Sequence, residues 1–191
     1  MLNIVIFGAP GSGKGTQSDK IIAEYGVEHI STGDVLRSEI KGGTELGKTA
    51  AAYINDGKLV PDSLIIDILA STLDSKGKDI KGVIFDGFPR TIAQAEALNE
   101  MLAQRGQSVS TVIGLEVDDT ELIKRIIARG ATSGRADDNE ETAKKRLATY
   151  YSQTLPLKDF YIHEGKYAKI QGVGSIDDIF ADIKLAIDAV K

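Results

Sequence analysis

The chain has 191 residues, no cysteine and two histidines, and its 28 acidic and 23 basic side chains give a net charge of −5. Disulfides, a thiolate nucleophile and cysteine-ligated zinc are excluded, and no HExxH spacing surrounds His29 or His163, so a histidine metal centre is not expected. The length suits one domain with a full core, and the acidic balance disfavours broad affinity for nucleic acid or an anionic membrane.

Leu2 to Phe7 reads as a buried strand. It is too short for a signal or membrane helix and lacks a basic n-region, which with the absence of cysteine implies a cytoplasmic protein. The strand runs directly into Gly8-Ala9-Pro10-Gly11-Ser12-Gly13-Lys14-Gly15-Thr16. Glycines there let successive N–H groups converge on an anion, the following helix adds the positive end of its dipole, and Lys14 meets phosphate. Gly8, Gly13 and Lys14 fit the general phosphate-loop pattern, but Gly15 stands in the Ser/Thr place and the hydroxyl moves on to Thr16.

Further along, Val27 to Ile30, Val83 to Phe85, Val112 to Val117 and Tyr167 to Ile170 read as strands between helical segments, which implies a parallel α/β sheet. Ser31-Thr32-Gly33-Asp34 and Asp86-Gly87-Phe88-Pro89-Arg90 follow two of these strands, so with the glycine loop three strand ends point at one crevice. Thr32 to about Val60 and the polar run Gly130 to Asp138 read as insertions, with Gly130 and Gly134 as candidate pivots of the second. Arg125 and Arg129 share a helix face at i,i+4. Asn139 caps a helix directed towards Ile162, with Glu140 and Glu141 in its first turn and an interruption at Pro156. A last helix places Ile176, Ile179, Phe180, Ile183 and Ile187 on one face. His29 and His163 read as ordinary surface or packing residues.

The GxPGxGKGT form, Ser31 to Asp34 with Arg37, Gly57-Lys58-Leu59-Val60-Pro61-Asp62, Asp86 to Thr91 with Gln94, and Arg129 to Asp138 with Arg146 together resemble the adenylate kinase family of nucleoside monophosphate kinases, in its short-lid form. The resemblance implies a P-loop NTPase-type three-layer fold: a five-stranded parallel sheet flanked by helices, with a core of 1–30, 61–128 and 139–191. It also implies a small AMP-binding insertion at 31–60, a short lid at 129–138, and a monomer that binds ATP, AMP and ADP. Gly11, Ser12, Gly13, Lys14, Gly15 and Thr16 would cradle ATP, with Arg129 against it and Gly174 near its base. Thr32, Arg37, Lys58, Leu59, Val60, Gly87, Phe88, Pro89, Arg90 and Gln94 would form the AMP site, with Arg135 and Arg146 bridging towards the transferring group. Lys14, Arg90, Arg129, Arg135 and Arg146 carry the implied catalysis. Asp86 would orient Mg²⁺, directly or through its water shell, and no zinc site is implied.

These residue types suit the chemistry. Two unit charges about 4 Å apart repel by about 4 kcal/mol at an effective dielectric near 20, so joining two polyanions requires cations. Arginine's planar fork suits phosphate, and an anionic acceptor needs no general base. A UMP/CMP kinase on the same scaffold is the near alternative, disfavoured by Thr32 and the Thr91 to Gln94 segment. A P-loop switch or ATPase module is the distant one, and it would want an NKxD motif that is absent. Arg125 reads equally as a solvated residue or a ligand. Asp137 and Asp138 either precede a helix start or pin a closed loop through arginine pairs.

Overall fold

Strand β1 (Leu2–Gly8) is apolar on both faces and occupies the centre of the sheet. In the computed structural model, which describes residues 1–77 and 79–191, Val5 and Phe7 enter one core while Ile4 and Ile6 enter another. A strand with two buried faces reads as a continuous apolar run rather than an alternating one. Its partners are β2 (Glu28–Ser31), β3 (Gly82–Asp86), β4 (Thr111–Glu116) and β5 (Tyr167–Gln171), in the order β2-β3-β1-β4-β5 with every pairing parallel. All five strands read from the sequence form, with ends displaced by no more than a residue or so.

Helices cover both faces. On one lie α4 (Asp62–Ser75), α5 (Ile92–Ala103) and α8 (Leu157–His163), which bring Leu69, Leu98, Leu102, Leu157 and Tyr161 onto Val5, Phe85 and Val112. On the other lie α1 (Lys14–Tyr25) and α9 (Ile176–Asp188), whose Ile21, Tyr25, Ile179, Ile183 and Ile187 pack on Ile4, Ile84 and Ile113. This is the three-layer α/β arrangement expected from the sequence. Ile176, expected on the buried stripe of α9, is instead half exposed as the first residue of that helix.

The remaining elements lie at the carboxyl end of the sheet: α2 (Thr32–Gly42), α3 (Glu45–Ile54), α6 (Asp119–Ser133) and α7 (Glu140–Thr149). Ser31, Thr44, Thr91, Asp118, Asn139 and Ser175 each accept a hydrogen bond from a first-turn backbone N–H of the helix they cap. Gly47 lets α3 lie tightly on α2: a Cβ there would sit 2.1 Å from the Glu39 carbonyl oxygen.

Two local expectations are corrected. The run from Gly130 is helical as far as Ser133, and Gly134, at φ 64°, ends α6 in the left-handed conformation. The interruption expected at Pro156 begins earlier, in a π-helical turn at Tyr150–Thr154 where the Leu155 N–H donates to the Tyr150 carbonyl at 2.8 Å. In a continuous α-helix the Pro156 ring would press on the carbonyl four residues back. The wider turn takes up that conflict, and Pro156 then opens α8.

Candidate active site

The register of the sheet builds the site. Ser31 pairs with Asp86 and Asp86 with Ile6, so the ends of β2, β3 and β1 stand side by side and their loops share one cavity of about 590 Å³. Gly11 and Gly13 take φ values of 84° and 96°, and a Cβ on Gly11 would press within 2.8 Å of the Leu122 carbonyl oxygen. No side chain caps α1, which leaves its first N–H groups directed at the cavity. Lys14 folds back over the loop, donating to the carbonyls of Gly8 at 2.8 Å and Ala9 at 3.0 Å. Burial pushes its pKa down to about 8, opposed by Asp86 and reinforced by Arg90, Arg146 and Arg129.

Arginines from several elements close in opposite the loop. Arg129 makes a forked contact with Asp138, Nε to Oδ2 at 2.7 Å and Nη2 to Oδ1 at 2.6 Å. Arg146 lies 2.9 Å from Asp137 and 3.3 Å from Asp138. Burial raises the Asp138 pKa, but the Arg129 fork prevails and holds it below the usual carboxylate value. The two aspartates therefore pin the end of α6 to α7, besides preceding the Asn139 cap. Arg37 pairs with Asp34 at 2.5 Å, and Arg135 reaches the same carboxylate at 3.8 Å. Arg90 differs. It makes no ion pair among the described residues, donates its Nε–H to the Gly87 carbonyl at 2.7 Å, and has its pKa lowered to about 10 by burial and by Arg146.

Asp86 ends β3 in the cavity wall, with its carboxylate 3.5 Å from Nε2 of His29. Burial works against its charge, yet His29 and Lys14 hold its pKa below the ordinary value, and Asp86 in turn raises that of His29. His29 is thus not the ordinary packing residue the sequence suggested, because β2 lies beside β3 and turns it towards Asp86. Among the described residues no group of three or more acidic or histidine side chains could hold a metal by itself. A single ionised carboxylate beside a phosphate cradle suits Mg²⁺, which keeps much of its water and takes one or two carboxylates together with substrate phosphates.

At the ends of β2 and β3 the Thr32 hydroxyl donates to the Gly87 carbonyl at 3.0 Å. The Gln94 amide is 2 % exposed, accepting from the Arg90 N–H at 2.7 Å and donating to Asp62 Oδ1 at 2.7 Å. Leu59 and Val60 line the cavity, as does Lys58, whose ammonium pairs with Asp56 near solvent. Gly13, Gly15, Thr16, Gly87 and Pro89 line it too. Three expected residues stand back from it. Ser12 is buried beneath the loop, Phe88 is in the core, and Gly174 lies between β5 and α9. Arg125 bridges Glu121 at 2.8 Å and the Gly172 carbonyl at 3.1 Å while also lining the cavity. Asp34, His29 and Asp62 received no individual role from the sequence. Asp34 and Asp62 belong to the matched motifs, but only the fold shows which cation or amide each one holds.

Residues 6–166 match the family model described as Adenylate kinase. The chain is 69% identical over 188 residues to an adenylate kinase of Phocaeicola vulgatus, covering 98% of this chain and 99% of that protein. It is equally identical, with the same coverage, to one of Bacteroides thetaiotaomicron. Against an adenylate kinase of Maricaulis maris the identity is 46% over 187 residues, covering 98% and 99% of the two chains.

Proposed function

The chain belongs to the adenylate kinase family, and on that premise we infer that it transfers the terminal phosphoryl group of ATP reversibly to AMP, giving two ADP. The observation that carries the reading is the convergence on one cavity of an uncapped glycine-loop helix, six cationic side chains and a buried amide. These six are Lys14, Arg37, Arg90, Arg129, Arg135 and Arg146, and Lys58 and Arg125 line the same cavity. A nucleotide hydrolase needs one phosphate cradle. A second, arginine-lined half beside a buried amide suits an anionic acceptor.

In this reading the N–H groups of Gly11 to Thr16 and Lys14 hold the donor phosphates, with Arg129 against them and the Gly174 backbone near the base. Arg37 and Arg90 hold the acceptor phosphate. Thr32, the Lys58 to Val60 segment and Gln94 surround the acceptor base, with Gly87, Phe88 and Pro89 shaping its floor. Arg135 and Arg146 face the group in transit. The acceptor oxygen is already anionic, so no residue needs to remove a proton, and in-line positioning with charge stabilisation supplies the catalysis. Asp86 would hold Mg²⁺, directly or through its water shell, and the chemistry the ion would supply there is neutralisation of phosphate charge. We read 31–60 as the acceptor-binding insertion and 129–138 as the short lid that excludes water.

The test is turnover at fixed Mg-ATP with AMP, CMP, UMP or no acceptor. ADP formation that requires AMP is expected. A preference for a pyrimidine monophosphate, or rapid hydrolysis without any acceptor, would overturn the assignment.

A further inference from the structure

Gln94 is almost wholly buried, and the two ends of its amide are held by different groups. Oε1 accepts from the Arg90 backbone N–H at 2.7 Å, and Nε2 donates to Asp62 Oδ1 at 2.7 Å. Turning the amide over would set its NH₂ against the Arg90 N–H, donor to donor, and its oxygen against the Asp62 carboxylate, acceptor to acceptor. Neither contact can be repaired by moving a proton, because a backbone N–H only donates and an ionised carboxylate only accepts. Each end of the amide keeps one hydrogen-bonding position beyond the contact that holds it. The cavity wall therefore offers an acceptor and a donor in a fixed order.

That order matters for a purine. A 6-aminopurine presents a donor at its exocyclic position, whereas a 6-oxopurine presents an acceptor there. A free glutamine amide could satisfy either base by turning over, so an unheld Gln94 would discriminate weakly. We propose that Asp62 is the positioning residue that sets acceptor specificity: by holding Gln94 in one orientation it admits a 6-aminopurine monophosphate and rejects the 6-oxopurine analogue. The proposal rests on the acceptor-site reading of Gln94 given above. A competing role for Asp62 is purely local, since it opens α4 and its charge suits a helix N-terminus. The two roles separate cleanly, because a helix-terminal charge changes stability equally whichever base is bound.

The experiment measures kcat and KM for AMP and for IMP at saturating Mg-ATP in the wild type, Asp62→Asn and Asp62→Ser. Asparagine is isosteric and serine suits a helix start, so at least one variant should fold, and melting curves identify it. Both replacements can donate as well as accept, so the Asp62 end no longer dictates the orientation of the Gln94 amide and the Arg90 N–H is the one contact left to hold it. The preference for AMP over IMP in kcat/KM should shrink roughly tenfold to a hundredfold, the scale of discrimination by a paired amide. The change should appear as a higher KM for AMP and a lower KM for IMP, with kcat for AMP within about twofold. A preference unchanged within about twofold in a folded variant, with only the melting temperature moved, overturns the proposal. So does a wild type that uses IMP as readily as AMP. Calorimetric titration of AMP and IMP reads the same ratio without turnover. If the wild type failed to phosphorylate AMP, the assigned reaction would fall while the binding ratio still decided the role of Asp62.

Discussion

The glycine loop and the arginine cluster facing it are charged by opposite means. The loop sits on the central strand and builds its anion site from backbone, with one lysine whose ammonium rests on carbonyl oxygens rather than on a carboxylate. Across the cavity, Arg37, Arg129, Arg135 and Arg146 each have an aspartate within 4 Å, and Asp34 and Asp138 each serve two of them. Arg90 alone of that group follows the loop's pattern, held by a carbonyl. A site on a rigid strand end can bear uncompensated positive charge because its geometry does not depend on that charge. The segments around α2 and the end of α6 depend on aspartates that hold their guanidinium groups in place.

The sharpest way to break this comparison is Lys14→Met. Turnover should fall by about a thousandfold, the scale for losing one strong transition-state contact, as measured by steady-state kinetics. At pH 7 the same variant should melt roughly 2–4 °C higher, the response of a chain this size to about 1 kcal/mol. The sign follows from the depressed pKa. Between about pH 8 and the ordinary lysine value of 10.5 the unfolded chain holds a proton the native one has lost, so folding is disfavoured below that window and the penalty is relieved across it. Over the same window kcat/KM for ATP should decline as the free enzyme loses its ammonium. A variant both inactive and less stable would contradict the picture of an uncompensated charge.

Arg90→Ala should lower kcat by about a hundredfold or more with little loss of stability, because no carboxylate is left unpaired. Asp138→Asn should do the reverse. It removes the shared counter-charge of Arg129 and Arg146, so we expect a loss of about 2–3 kcal/mol in denaturant unfolding and faster hydrogen exchange at the end of α6. Acid should reproduce part of that effect. The native pKa of Asp138 is held below its ordinary 3.8, so its contribution is complete above that value and is lost as pH falls through the depressed one. The smallest change belongs to Gln94→Ala, which should raise the KM for AMP by about tenfold while leaving that for ATP nearly unchanged. Equal effects on both substrates would remove Gln94 from the acceptor half.

The sheet was legible because strands buried on both faces are apolar at most positions, so Leu2 to Phe7 and Val112 to Val117, Asn3 and Glu116 apart, announce themselves without reference to the rest of the chain. The glycine loop was legible for the same local reason. Hidden from the sequence were pairings set by tertiary approach. Nothing in Asp34 or Asp62 says which arginine or amide it will meet, and His29 turns towards Asp86 only because β2 and β3 are neighbours. Gly174 and Ser12 lie outside the lining of the cavity, and for both the role implied by the sequence is one for the backbone rather than the side chain. The break in the helix after Asn139 was expected at the residue that cannot donate. It fell instead on the turn before, where widening the backbone resolves the clash.

That widened turn at Tyr150–Thr154 also sets phase. An α-helix advances about 100° per residue, so one extra residue wound into a turn rotates everything beyond it by roughly that angle relative to everything before. Upstream, Arg146, Thr149 and Tyr150 face the cavity, and downstream, Leu157 and Tyr161 face the sheet. Deleting a single residue from 150–154 would bring the Pro156 ring back against the carbonyl four residues before it and leave the two halves out of step, so that either the guanidinium or the core aromatic pointed the wrong way. The bulge acts as the gear that lets one continuous stretch of chain serve both the chemistry and the core.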